Sequence, residues 1–146
     1  MRETREEFEL DTDRGRVPIE TVHRWLSEES YWAKGIPLET VRRSIEHALP
    51  FAIYERDSGE IVAFLRVITD YATFAYVGDV FVRTDRRGRG LSKWLMEAVA
   101  AHPDLQGFRR WILATRDAHG LYKQKGFTPL ERPENWLERR PIRGYD

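Results

Sequence analysis

Arginines and glycines alternate over residues 87–90, between an apolar stretch before them and an amphipathic stretch after them. This order predicts a strand, a basic loop and the first turn of a helix. Free backbone N–H groups at a helix start can bind a phosphate, and arginine side chains can add charge-assisted hydrogen bonds. The segment therefore predicts either a site for a phosphate-bearing ligand or an ordinary turn in which the glycines supply positive φ.

Other phosphate-binding patterns do not match this loop. It lacks the Gly-x4-Gly-Lys-Ser/Thr spacing of nucleotide P-loops, and Lys93 stands where the third glycine of a dinucleotide fingerprint belongs. The 24 basic and 24 acidic side chains cancel, so no overall field favours nucleic acid or an anionic membrane. We expect neither as a partner; an arginine loop that binds DNA or RNA is a weaker alternative.

A second candidate for chemistry is the phenol of Tyr122, in a segment predicted to be a short helix over residues 118–125. A phenol can donate a proton to a leaving group, whereas a lone tyrosine on a short helix can equally serve in packing or at the surface. The chain has no cysteine, which excludes an acyl-cysteine intermediate and a thiolate metal site. No histidine pair has the spacing of metal ligands, so we expect no metal.

Together the two segments resemble the GCN5-related N-acetyltransferase (GNAT) family, whose members move an acyl group from coenzyme A to an amine. The family's loop pattern, Arg/Gln-x-x-Gly-x-Gly/Ala, is matched by Arg87 and Gly90, and Ser92 takes the place of its last small residue. The family's Leu-Tyr-x-x-x-Gly-Phe pattern is matched in full by residues 121–127. The resemblance extends over residues 19–130 and implies acetyl-CoA as the cofactor.

The resemblance also implies which residues bind acetyl-CoA. The loop would receive its pyrophosphate, and the preceding strand would bond its pantetheine arm, because family members splay this strand from its parallel neighbour. Gly78 within that strand predicts a bulge or a close backbone approach that opens the splay. Thr115 stands where the family often has an asparagine that bonds the arm. The implied cofactor-binding residues are Val80, Phe81, Val82, Arg87, Gly88, Arg89, Gly90, Leu91, Ser92, Lys93 and Thr115.

For the acid–base chemistry, the resemblance implies Tyr122 as the general acid near the coenzyme sulfur. Asp79 is the candidate base: it can deprotonate the ammonium through water, orient the amine, or act only as a structural hydrogen-bonding group. Polyamine-acetylating relatives carry an acidic pair at this point, whereas this chain has Gly78 before Asp79. His23 and His119 are the other titratable candidates.

The resemblance places the acceptor opposite the cofactor, between the loop that joins the first helices and the strands beyond the splay. Aromatic rings and a carboxylate there can receive a cationic or aromatic amine, although the same aromatics can equally form core. Because Arg66 lies on the strand before Asp70, an acidic acceptor is also an alternative. The candidate substrate residues are Trp25, Tyr31, Trp32, Asp70, Tyr71 and Phe74.

The elements that must position these residues follow from hydrophobic periodicity. Apolar residues recur at helical spacing after Pro18, after Pro37 and over residues 90–101, and Pro50 is expected to end the second helix. Short links between the middle strands predict an antiparallel meander, and the strand–helix–strand unit around residues 90–101 predicts a right-handed parallel crossover. Predicted strands cover residues 8–13, 51–55, 61–69, 73–83, 109–115 and 127–130.

The expected fold class is α/β, with a mixed, mostly antiparallel central sheet that is flanked by helices and splayed at the cofactor site. At 146 residues the chain fits one N-acetyltransferase domain over residues 1–146, and its polar start favours a cytoplasmic location. Residues 131–146 are expected to form an edge strand or a loosely docked tail. Analogy with the family leaves a homodimer open.

The resulting expectation is an acetyl-CoA-dependent N-acetyltransferase. The primary amine of a small molecule or peptide would attack acetyl-CoA directly in a ternary complex. The alternative is a CoA-binding regulatory or interaction module with the same fold and no chemistry, because the family's asparagine and the second carboxylate are both missing.

Overall fold

A computed structural model describes residues 1–145, and its six strands form one sheet in chain order. All neighbouring strands pair antiparallel except the last two, which pair in parallel. The strands are β1 (Arg2–Arg5), β2 (Phe8–Asp11), β3 (Leu49–Glu55), β4 (Ile61–Thr69), β5 (Phe74–Val82) and β6 (Arg110–Leu113). The helices are α1 (Ile19–Arg24), continued by a π-helical turn at Trp25–Glu29, α2 (Leu38–Glu46), α3 (Leu91–Ala101) and α4 (His119–Lys123). This architecture confirms the predicted α/β fold class.

Helices cover both faces of the sheet, which explains why the central strands are apolar without interruption. The first five residues of β4 are all buried and are shared between two core clusters. Phe64 packs among residues of α1 and α2, whereas Leu65 packs among residues of α3. Such continuous burial is typical of strands covered on both faces. None of the helices in residues 1–145 is long and apolar enough to cross a membrane.

Strand β5, helix α3 and strand β6 form the predicted parallel crossover. The parallel ladder joins residues 74–77 to residues 110–113 and stops there, while β5 continues to Val82. Beyond the ladder the two strands therefore separate and leave a V-shaped gap in the sheet.

A bulge interrupts the β4–β5 ladder where this gap begins. The register slips between Gly78 and Phe81, so Asp79 and Val80 lie against a single residue of β4. The sequence predicts the irregularity at Gly78, but the residue with left-handed backbone is Asp79, at φ 56°. Aspartate tolerates this region better than most residues. Gly78 leaves room for a neighbouring ring instead, because a Cβ there would make a tight contact, 3.2 Å, with a ring carbon of Tyr76.

The structure corrects several expected elements. No strand covers residues 127–130, because Pro129 has no N–H for a ladder and Phe127 packs against the core. Pro50 lies within β3 and does not end the second helix. Strand β1 is missed by the sequence analysis, since its residues are polar and mostly exposed. From residue 131 to residue 145 the structure has only one short 3-10 turn, Pro133–Asn135, and no edge strand.

Candidate functional site

A cleft of about 870 Å³ occupies the gap between β5 and β6. Its walls are the unpaired part of β5, the loop before α3, the start of α4 and the loop that joins α1 to α2. The fold thereby brings the glycine–arginine loop and Tyr122, which are distant in sequence, to one cavity.

Residues 78–82 of β5 form one wall with a free edge. Their backbone groups on the β6 side have no ladder partner among the described residues, because the parallel ladder has already ended. Val80 packs against the core beside α3, and Phe81 stacks on Trp25 with ring centres 5.0 Å apart. An extended ligand can therefore pair with this edge in the manner of an added strand.

The loop before α3 presents backbone donors to the cleft. Gly88 and Gly90 have φ values of 78° and 74°, a region that residues with a side chain rarely adopt. No side chain caps α3, and the N–H groups from Gly88 to Ser92 have no acceptor in the described part of the chain. Leu91 is buried and anchors the helix start. In this arrangement the loop can receive an anion such as a phosphate.

The cations near this loop make different contacts. Arg87 lines the cleft and donates from Nε to the carbonyl of Val82 at 3.0 Å. Arg86, which the sequence analysis overlooks, also lines the cleft but is paired with a carboxylate of β3. Arg89 pairs with an acidic residue of the N-terminal hairpin, and neither Arg89 nor Lys93 is part of the lining. Of the three predicted cations, Arg87 is the one on the cleft wall.

Tyr122 lies on α4 with 7% of its surface exposed, and it lines the cleft. Phe127 packs edge-on against its ring at 6.2 Å between centres. Burial raises the pKa of Tyr122 above its ordinary value, and the nearby Tyr31 and Asp117 add to the increase. The phenol therefore stays protonated at neutral and mildly alkaline pH, and it can donate that proton.

Thr115 and His119 hold the start of α4. The hydroxyl of Thr115 accepts a hydrogen bond from the N–H of Ala118 at 3.1 Å, and its carbonyl lies 2.9 Å from Nε2 of His119. These contacts orient the helix that carries Tyr122, while Thr115 itself remains part of the cleft lining. Neither His119 nor His23 lines the cleft, which argues against both as the base.

Asp79 lines the cleft with both carboxylate oxygens already hydrogen-bonded. Oδ2 accepts from Nε of Arg66 at 2.6 Å, and Oδ1 accepts from the indole N–H of Trp32 at 2.8 Å. Only 10% of the Asp79 side chain is exposed. A carboxylate with two such partners holds the Arg66 guanidinium and the Trp32 indole in place, and its charge is balanced by Arg66.

The loop between α1 and α2 contacts both sides of the gap. Tyr31 accepts a hydrogen bond from the backbone N–H of Arg116 at 3.2 Å, and the Arg116 guanidinium lies 3.7 Å from the centre of the Tyr31 ring. The next residue, Trp32, binds Asp79 on the β5 side. The two rings meet edge to face at 5.0 Å. This loop therefore covers one end of the cleft, and Arg116 is a contact that the sequence analysis does not identify.

Of the six predicted substrate residues, Tyr31 and Trp32 reach the cleft. Trp25 is buried beneath it as part of the core. The β4–β5 turn lies at the end of these strands away from the gap, so its residues stay outside the cleft. Asp70 and Tyr71 in this turn, and Phe74 at the start of β5, are therefore corrected, because none of them lines the cleft.

Replacing Asp70 by alanine is expected to lower thermal stability and to leave ligand binding in the cleft unchanged. Its carboxylate accepts hydrogen bonds from the Thr73 hydroxyl and from the N–H groups of Ala72, Thr73 and Phe74. These bonds hold the pKa of Asp70 well below its usual range, and those from Thr73 have the largest effect. A lowered pKa means that this stabilisation is present above the ordinary pKa and is lost as pH falls below it.

Thermal unfolding of the wild type and Asp70→Ala at neutral and strongly acidic pH checks this. Asp57→Ala is the control, because Asp57 lies in another exposed turn and its carboxylate has no hydrogen bond within residues 1–145. A difference between wild type and Asp70→Ala that does not shrink at acidic pH, or a loss of ligand binding, would contradict the assignment.

Comparisons with known proteins bear on what such a cleft does. A model of the Acetyltransferase (GNAT) family matches residues 19–127. A Xanthomonas campestris pv. campestris structure assigned to the GNAT family is 54% identical, with a TM-score of 0.89 and coverage of 93% of this chain and 94% of its own. A Gibberella zeae protein classed as an acetyltransferase is 25% identical over 139 residues, 82% of this chain and 77% of its own.

A third relative shares the fold at low identity. It is a Clostridium acetobutylicum protein classed as an acetyltransferase, whose structure was determined with acetyl-CoA. It is 14% identical, with a TM-score of 0.66, and the match covers 91% of this chain and 94% of that one.

Proposed function

This chain belongs to the acetyltransferase (GNAT) family, and on that premise we propose that it is an acetyl-CoA-dependent N-acetyltransferase. The primary amine of a small molecule or peptide attacks the acetyl carbon within a ternary complex. The C–N bond forms, the C–S bond breaks, and the departing sulfur receives a proton. The observation that carries the proposal is that the glycine loop, the free β5 edge and the protonated phenol of Tyr122 share one cleft.

The residues present fit coenzyme A along its length. A Cβ at Gly88 or Gly90 would meet no atom within 4 Å, so both positions face open space. The loop N–H groups and Arg87 suit a pyrophosphate there. The free edge of residues 78–82 suits the amide groups of the pantetheine arm. The acetyl-CoA in the Clostridium acetobutylicum structure supports the choice of cofactor.

Bound acetyl-CoA supplies the thioester, and the chain moves the protons. Tyr122 holds the proton that the sulfur takes up, because burial keeps its phenol protonated. Asp79 keeps Trp32 and Arg66 in place at the acceptor end. Because Asp79 is largely buried in an ion pair with Arg66, we assign it an orienting role, with the ammonium proton leaving through water.

Titration calorimetry with acetyl-CoA, followed by a thiol-release assay with a panel of primary amines, tests the proposal. We expect binding in the range of about 1 μM to 1 mM and release of thiol with at least one amine. A wild-type protein that does not bind acetyl-CoA contradicts the proposal. Binding without thiol release for any amine favours the non-catalytic CoA-binding module. The absence of catalysis would then follow from Thr115 in place of the family's asparagine and from Asp79 without a second carboxylate.

A further inference from the structure

Arg66 places a guanidinium in the cleft with most of its hydrogen-bonding capacity unused. It lies on β4 opposite Gly78, and 18% of its side chain is exposed. Its Nε donates to Asp79 at 2.6 Å. A guanidinium has five N–H donors, and those on its terminal nitrogens have no acceptor among residues 1–145.

The unused donors of Arg66 open on the cleft and not on the core. Arg66 is part of the lining, and its terminal nitrogens are not among the fully buried polar atoms that lack a partner. Gly78 lies beside this guanidinium, since a Cβ there would be in van der Waals contact, 3.9 Å, with its central carbon. A largely buried guanidinium is costly unless water or a ligand satisfies its donors.

Within the ion pair with Asp79, the guanidinium of Arg66 keeps free donors on its terminal nitrogens. Each oxygen of Asp79 accepts one hydrogen bond, from Arg66 or from Trp32, and Arg66 balances its charge. The pair carries no net charge, so it gives no electrostatic preference for a second ammonium group, whereas the free N–H groups of Arg66 can only bind an acceptor. A free guanidinium edge recognises an oxyanion instead, through parallel N–H···O bonds.

We propose that Arg66 binds an oxyanion, a carboxylate or a phosphate, that the acceptor amine itself carries. This inference rests on the proposed function, because it names the substrate class of the same cleft. The rings of Tyr31, Trp32 and Tyr76 line the neighbouring surface and suit an acceptor with an apolar body. The substrate class is thus an amine that also bears an oxyanion, and not a polyamine.

Small aromatic probes test this inference without turnover. Benzoate, phenyl phosphate and benzamide are titrated into the protein by ligand-observed NMR, with coenzyme A at saturation so that the glycine loop is blocked. We expect at least one oxyanion to bind about tenfold or more tightly than benzamide, since hydrogen bonds to charged groups have this strength. The ratio of benzoate to phenyl phosphate affinity identifies which oxyanion fits. Arg66→Gln is expected to abolish the preference over benzamide.

Three further variants control for position, charge and folding. Arg116→Gln removes a different guanidinium from the lining and should keep the preference. Asp79→Asn keeps Arg66 but removes its counter-charge, so oxyanion affinity should be unchanged or higher. If thermal unfolding shows that Arg66→Gln does not fold, Arg66→Met replaces it, since methionine keeps an apolar stem and loses both the charge and the guanidinium fork.

The outcomes separate this inference from the proposed function. A wild type that binds coenzyme A without preferring an oxyanion, or a preference that survives loss of the Arg66 guanidinium fork, overturns the inference alone. A wild type that binds neither coenzyme A nor acetyl-CoA overturns the proposed function.

Discussion

Replacing Tyr122 by phenylalanine is expected to lower kcat by about a hundredfold or more and to change the Kd for acetyl-CoA by less than about twofold. The substitution keeps the ring that packs against Phe127 and removes only the hydroxyl. Proton donation to the departing sulfur is needed in the transition state and not for binding, so the loss should appear in kcat. Steady-state kinetics and calorimetry measure the two quantities.

The pH profile provides a second test of Tyr122. Its pKa is raised by burial, so the phenol should remain a donor from neutral to mildly alkaline pH, and activity should fall only as pH rises through that raised pKa. Tyr54→Phe is the matched control, because Tyr54 is also buried and its hydroxyl has no hydrogen-bond partner in the described structure. Equal turnover by Tyr122→Phe and wild type would remove Tyr122 as the acid.

Replacing Gly90 by glutamate is expected to weaken acetyl-CoA binding by about a hundredfold or more, since a like charge beside a phosphate costs several kcal/mol. Gly90 directly precedes α3, where the free N–H groups face the cleft. A carboxylate at this point can also accept those N–H groups itself and so compete with the pyrophosphate. Calorimetric titration with acetyl-CoA measures the effect.

Gly59→Glu separates charge at the loop from backbone strain. Gly59 has φ 76°, close to the 74° of Gly90, and a Cβ meets nothing within 4 Å at either position. The strain of a side chain at positive φ is therefore similar at both sites, but Gly59 lies in the β3–β4 hairpin. Both variants should lose similar thermal stability, and only Gly90→Glu should lose acetyl-CoA binding. Tight binding by Gly90→Glu would exclude the loop as the phosphate site.

Local sequence patterns predict the helices and strands whose type is set by the spacing of apolar residues within one short segment. The predicted strand over residues 61–69 matches β4, Ile61–Thr69, and the helix predicted over residues 90–101 matches α3 within one residue. Apolar runs and helical spacing are enough there, because both elements bury their apolar side chains in the core. The same reasoning fails for residues 127–130, which form no strand. The apolar pattern there is short, and Pro129 has no N–H to donate to a strand ladder.

Local sequence patterns do not predict the contacts between segments that are far apart in the chain. Trp32 meets Asp79 across 47 positions, and Tyr31 meets the backbone of Arg116 across 85. The sequence predicts Asp79 as a candidate base but does not show its ion pair with Arg66 or its hydrogen bond from Trp32. It also places Asp70 near the acceptor, although the strand direction carries the β4–β5 turn away from the gap.

The sequence alone determined the family resemblance, the fold class and the two motifs of the cleft, because glycine conformation, helix starts and hydrophobic periodicity act over a few neighbouring residues. The tertiary structure alone decided which candidate side chains share the cleft, which arginine donors are free and which carboxylate is already paired. Those outcomes depend on where β5 leaves β6 and on how the α1–α2 loop crosses that gap. Both depend on the packing of whole elements against each other, which no short segment of sequence specifies.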